Sequence, residues 1–300
     1  MSSTYTAPET VADALAALAA GARPVAGGTD LVVGARQGKA PLPEALVAIH
    51  NVAELRGIAA AGGGLRIGAL VSHRELVDDP AVRELYTGIA DASAIVGSHA
   101  TRHVGTIGGN VMNGSPAMET GAPLICLGAV AVLASTGGER TVPVEELFVS
   151  PGVTSARPDE LLVAIELPET APGTGSCYVR LEYRRQMEIA IVGAACAVTL
   201  EGGAVSSARV AITALAPTIR RVPEAESALT GSDGGADAAR AAGDAAAAAS
   251  QPISDVRGSL VYRRAMAAVI TRRAVSAALA RARGEEVPIP ASPALHGAVE

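Results

Sequence analysis

No tryptophan occurs in this chain of 300 residues, and one phenylalanine and five tyrosines are its only aromatics. That scarcity removes the side-chain faces on which single-stranded nucleic acid is usually stacked. Basic residues are not in surplus either. The 24 Lys and Arg stand against 30 Asp and Glu, a net charge of −6, and no basic stripe suggests a nucleic-acid partner. The three cysteines, Cys126, Cys177 and Cys196, show no CxxC spacing. This excludes a disulfide framework, a zinc knuckle and an all-cysteine iron–sulfur cluster built by this chain alone, and it fits a reducing, cytoplasmic compartment. A positively charged leader is missing, and Glu9 and Asp13 interrupt the first apolar stretch, so neither a signal peptide nor membrane insertion is expected.

What is present is aliphatic: hydrophobic residues make up 49% of the chain, with 33 glycines at the turns. The length suggests two domains. Apolar spacing predicts a helix over residues 8–20, strands near 45–49, 65–71, 129–134 and 160–167, and a helix over 81–96 broken at Gly97. Ser72 and Glu75 form a capping box that starts another helix. Residues 101–120 have no period and read as a functional loop. Pro168 to Gly175 is the clearest linker. Beyond it, strand-like runs at 177–183, 190–200 and 204–213 include a Gly202-Gly203 hairpin, followed by helices over 223–229, 235–249 and 258–283. The segment from Pro288 onward reads as a disordered tail.

Two glycine pairs are candidates for chemistry: Ala26-Gly27-Gly28-Thr29-Asp30 and Thr106-Ile107-Gly108-Gly109-Asn110. Without Cβ atoms, successive amides can converge on an anion, and the neighbouring hydroxyls and amide add hydrogen bonds to phosphate oxygens. Each pair reads equally as a tight turn, and neither fits GxGxxG or GxxxxGK[ST]. His99 and His103 share one helical face at i, i+4, but no third metal ligand accompanies them.

Four ordered motifs carry more. They are Arg23-Pro-Val-Ala-Gly-Gly-Thr-Asp-Leu31, the run Gly105-Thr-Ile-Gly-Gly-Asn-Val-Met-Asn-Gly-Ser-Pro-Ala-Met-Glu119, then Arg184 to Gly193, and Pro252-Ile-Ser-Asp-Val-Arg257 with Tyr262-Arg-Arg264. With them the chain resembles the flavin-binding medium subunit of the molybdenum hydroxylases, over residues 5–283. The resemblance implies an α+β fold: a two-subdomain FAD-binding domain of the PCMH/VAO type over 1–170, a smaller α+β domain with an antiparallel sheet over 176–285, and a tail over 286–300. FAD is implied as cofactor, its pyrophosphate held by Val25, Ala26, Gly27, Gly28, Thr29, Asp30 and Leu31 and by Thr106, Ile107, Gly108, Gly109 and Asn110. Glu119 stands where the family usually has Asp. Leu162 matches an apolar position lining the flavin cleft. Arg180 matches a Lys near the flavin and reads equally as a solvated strand cation. Ile189 lies where relatives place a Tyr against the ring.

Electrons are then expected to come from a [2Fe–2S] small subunit, in a complex with a molybdopterin-binding large subunit, and to leave for NAD or another acceptor. The alternatives are a self-sufficient FAD-dependent oxidoreductase on the same scaffold and a non-enzymatic subunit with a degenerate flavin site. The intact glycine pairs argue against the last.

Overall fold

The computed structural model describes residues 4–38 and 41–296. The chain starts with a small parallel sheet in which Ala45–Ala48 lies between Thr4–Thr6 and Arg23–Val25. Helix Val11–Ala19, capped by the Thr10 hydroxyl accepting from the Asp13 amide, covers it. Ala14, Leu15 and Leu18 share one face of that helix and bury against Val47, Val52 and Leu55. The edge strand Arg23–Val25 runs straight into the first glycine pair.

A five-stranded antiparallel sheet follows, ordered Ile58–Ala61, Gly64–Gly68, Leu161–Leu167, Val130–Ser135, Gly138–Pro143. Both its faces are covered, which is why residues 129–134 read as a continuous apolar run. Ile67, Leu133, Leu162 and Ile165 face the helices between His73 and Cys126, while Val132, Ala134, Leu161 and Val163 face the small sheet. A register shift between Leu162 and Ala164 puts Val163 and Ala164 on one side.

The third unit is an antiparallel sheet of Thr174–Leu181, Val192–Glu201, Ala204–Thr213 and Arg220–Arg221. Gly202 and Gly203 both have positive φ, 59° and 86°, as a tight hairpin turn with the right twist demands. One face of this sheet packs under helices Pro223–Leu229, Ala236–Ala249 and Leu260–Ala282. From the other face, Tyr178, Ala195, Ala197 and Ala211 join the core of the preceding domain. At that junction the fully buried Asp91 carboxylate accepts from the Tyr178 amide, from Arg281 at 2.6 and 3.0 Å, and from the Ala291 amide.

Three local expectations are corrected. Residues 81–96 are two helices, Pro80–Leu85 and Thr87–Ala94, separated at Tyr86. The stretch 101–120 is irregular only in its second part, 113–120: helices His99–Val104 and Ile107–Met112 occupy most of the first, because Ser98 and Thr106 hydroxyls accept from the amides of Thr101 and Gly109. The segment after Pro288 is docked rather than loose. Ala291–His296 is helical, Ala291 and Ser292 are buried, and Ser292 Oγ accepts from the Arg180 amide at 2.6 Å. Among the described residues no helix is long and apolar enough to cross a membrane.

Candidate cofactor site

The two glycine loops meet, and backbone makes the contact. A Cβ on Gly27 would lie 2.1 Å from the Val104 carbonyl oxygen and 3.3 Å from the Gly105 Cα. Only glycine lets the loop after Val25 press onto the turn that precedes Thr106. Gly28 is left-handed, φ 68°, and starts helix Thr29–Arg36 without a side-chain cap. Among the described residues, the amides of Gly28, Thr29, Asp30 and Leu31 donate to no protein acceptor. Four open donors at a helix N-terminus are an anion site.

The second loop is different, and the expectation of a second open nest is corrected. Its amides are spent: Ile107 donates to Val71 O, Gly108 to Ala69 O, Gly109 to the Thr106 hydroxyl and Asn110 to Thr106 O. The Ile107 side chain is fully buried in the core. Gly108 is needed because a Cβ there would meet Ala69 O at 2.6 Å. What this loop presents outward is the exposed Gly109 and the half-buried Asn110, whose Oδ1 accepts from Thr120.

Beside the meeting point lies a cleft of about 310 Å³, lined among others by Ala26, Gly27, Arg56, His103 and Thr106. That is near the lower end of the ~300–1,000 Å³ of ligand pockets, room for one end of a dinucleotide. Beneath it His73 holds the second loop by donating its amide to Gly105 O at 3.0 Å, with its Nδ1 3.4 Å from Ser93 Oγ. Burial, with the Arg102 charge adding to it, pushes the His73 imidazole down to about 4 from 6.5. Between those values the unfolded chain binds a proton that the folded one refuses. Stability is therefore lost as pH falls from 6.5 through 4, by up to about 3 kcal/mol. Thermal midpoints measured down that range should fall, and His73→Asn should remove this part of the slope; an unchanged slope would contradict it.

Arg180 and Glu119 find each other. Arg180 has no exposed surface; its Nη1 donates to Glu119 at 2.6 Å and to Glu188 O at 3.3 Å, and its Nε donates to Glu182 at 2.7 Å, with Nη2 on the same carboxylate. Burial pushes the Glu119 carboxyl up, and Arg180 works against that rise. Arg180, expected as a cation near a flavin, is already neutralised by two carboxylates. Glu119 is likewise directed at Arg180. Leu162, expected to line the flavin cleft, is 3% exposed and packs in the hydrophobic core. Ile189, in contrast, is half exposed and next to Met187, whose amide donates to Gly97 O at 2.8 Å, so this loop abuts the turn before the second glycine pair.

Among the described residues no group of three ligating side chains includes His99 or His103, and His99 Nδ1 accepts from Arg102. Sequence reasoning missed Arg102 and His73. The signal for Arg102 is that it is the only Asp, Glu, Lys or Arg between Asp91 and Glu119.

Comparison with known proteins agrees with this geometry. A profile described as the FAD binding domain in molybdopterin dehydrogenase matches residues 1–170, and one described as the CO dehydrogenase flavoprotein C-terminal domain matches 178–278. The carbon monoxide dehydrogenase medium chain of Hydrogenophaga pseudoflava is 35% identical over 92% of this chain and 97% of its own. A putative xanthine dehydrogenase FAD-binding subunit of Escherichia coli is 30% identical over 94% and 97%. Among solved structures, the H. pseudoflava carbon monoxide dehydrogenase superposes with a TM-score of 0.89 at 36% identity, covering 94% of this chain and 98% of the other. Quinoline 2-oxidoreductase from Pseudomonas putida 86 gives 0.86 at 28%, covering 95% and 98%. With both profiles lying end to end and relatives matched over nearly their full length, the chain belongs to the FAD-binding subunits of the molybdopterin dehydrogenases.

Proposed function

We propose that this chain is the FAD-binding electron-transfer subunit of a heteromeric molybdenum hydroxylase, with residues 1–170 as the FAD-binding domain and 176–285 completing the cleft. The observation that carries the reading is the first glycine loop, whose uncapped helix start offers four open amides where Gly27 meets Val104. Those amides of Gly28, Thr29, Asp30 and Leu31 bind the diphosphate, and the cleft beside them takes one end of the cofactor. The second loop serves as a floor: its spent amides keep it rigid against Val71 and Ala69, and Gly109 and Asn110 face the bound group. Ile189 closes the site from the C-terminal domain by apolar packing, as befits a chain poor in aromatics. FAD supplies the exchange between one- and two-electron carriers; the protein supplies position and electrostatics.

A partner subunit is called for by the surface as well as by the relatives. Tyr183 and Met187 in one segment and Ile253, Val256 and Val261 in another are strongly exposed apolar side chains, Val256 at 97%. The Tyr183 hydroxyl donates to Arg257 O at 2.8 Å and joins the two segments. Such patches mark protein interfaces. The partners are the [2Fe–2S] subunit that delivers electrons and the molybdopterin subunit that oxidises the organic substrate; NAD or another acceptor removes the electrons. Cytoplasmic placement agrees with Cys126, Cys177 and Cys196, all free and buried.

The test is FAD uptake by the purified full-length chain. It should become yellow at about one FAD per chain, and a preparation that stays colourless with excess FAD refutes the cofactor reading. In anaerobic mixing, the bound flavin should bleach with the iron–sulfur partner and reductant present. Rapid bleaching by an organic substrate without any partner would instead make it a self-sufficient oxidoreductase.

A further inference from the structure

Arginines buried in proteins normally bring a carboxylate with them, because an uncompensated buried charge is costly. In this chain Arg180 has Glu119 and Glu182, Arg263 has Asp255, and Arg281 has Asp91. Arg102 breaks the pattern. It is 7% exposed, and no carboxylate among the described residues forms an ion pair with it. Its Nη1 donates to Val96 O at 3.1 Å, and its Nη2 to His99 Nδ1 at 3.0 Å. Both acceptors are neutral. The bond to His99 requires an imidazole with its proton on Nε2, so His99 adds no negative charge. The end of helix Thr87–Ala94, just before Val96, offers only a partial negative charge, about half a unit. The other charges that act on Arg102 are Arg74 and Arg180, both positive, and together with burial they lower its proton affinity.

Its position supplies the missing half. Arg102 lies in the short helix between Gly97 and the second glycine pair, and it is separated from Thr106 by three residues. One residue before it, Thr101 Oγ1 contacts Met187 Sδ at 3.7 Å, and Gly97 O accepts from the Met187 amide. Arg102 therefore lies between Thr101, which touches the 187–189 loop, and His103, which lines the cleft beside the glycine loops.

We propose that Arg102 is the countercharge for the negative charge that bound FAD gains on reduction, the role that Arg180 cannot play because Glu119 and Glu182 already neutralise it. This rests on the reading that the cleft holds FAD. Two electrons from the partner's iron–sulfur clusters and one proton from solvent leave the cofactor one unit more negative. A buried cation fixed nearby, in a medium of low polarity, stabilises that charge without having to reorganise. Arg102 acts through its field, and its two hydrogen bonds hold it in place.

The experiment compares the midpoint potential of FAD bound to the full-length chain in wild type, Arg102→Met, Arg102→Gln and Arg102→Lys. Methionine and glutamine remove the charge, and glutamine keeps a donor for Val96 O should methionine fail to fold. Lysine keeps the charge while losing the fork geometry. Both neutral variants should lose at least tenfold in preference for reduced over oxidised FAD, a fall of about 30 mV for a two-electron couple. Arg102→Lys should stay within threefold of wild type. The proposal is overturned if the neutral variants keep the wild-type potential while only their thermal midpoints drop, which is the behaviour of a mere clamp. It is overturned as well if lysine shifts the potential as far as methionine. Failure of the wild-type chain to take up FAD overturns the cofactor reading itself and is seen before any variant is compared.

Discussion

Gly27→Ala should strip the protein of its cofactor while leaving its cores folded. The added methyl would sit 2.1 Å from the Val104 carbonyl oxygen and 2.8 Å from its carbon, and backbone cannot turn aside as a side chain can. The first loop must back away by more than an ångström, taking with it the open amides of Gly28 to Leu31. We expect FAD affinity to fall about 100-fold, equivalent to about 3 kcal/mol. The hydrophobic clusters do not include Gly27, so far-UV dichroism and a cooperative thermal transition should persist. Gly34→Ala, further along the helix that the first loop starts, is the control: its Cβ would meet nothing within 4 Å. Normal flavin content in Gly27→Ala would mean that the approach of the two loops has nothing to do with binding.

Arg180→Met should be the most destabilising single change at the domain junction. It leaves the carboxylates of Glu119 and Glu182, with side chains only 8% and 5% exposed, facing each other without a cation. Removing one partner of a buried ion pair costs about 3–5 kcal/mol. The sign with pH gives a second check. Burial already raises the Glu119 carboxyl, and without Arg180 nothing large opposes that rise. A carboxyl raised in the folded state contributes stability at low pH that is lost as pH climbs through its folded value. The variant should therefore gain stability relative to wild type on acidification, and Glu119→Gln in the same chain should recover part of the loss. Urea titration measures both. A loss below about 1 kcal/mol, typical of exposed pairs, would show the cluster to be solvated.

Legibility from sequence divided along the distance of the interactions. The Ser72–Glu75 capping box and the Gly202-Gly203 hairpin depend on neighbours three residues apart or fewer, and both form as read. The family, its cofactor and its partners were legible because four motifs hold their order along the chain. The fate of the second glycine pair was not. Two of its amides, those of Ile107 and Gly108, are consumed by Val71 and Ala69, just past the end of another strand, and no spacing rule announces that. Arg180 lies 61 residues from Glu119 and across the domain junction, so only the folded chain brings the two together. Which face Leu162 takes was not legible either, because an apolar strand position carries no mark of it. The helices around Ser98 and Thr106 were hidden by Gly, Ser and Thr, residues that start short helices through their side chains rather than favour them along their length.

The Asp91 carboxylate also bears on how the chain is made. Its four hydrogen bonds come from Tyr178, Arg281 and Ala291, so the residue that anchors the middle of the first domain has all its donors in later-synthesised chain. As the ribosome extends the protein, the first domain emerges with a negative charge destined for full burial and nothing to meet it. The helix bearing Asp91 packs Ile89, Ala90 and Ala92 in the first domain's own core, but its carboxylate gains its donors only when residues 178, 281 and 291 dock. A chain interrupted before Arg281 should therefore carry an incompletely satisfied acid in its first domain.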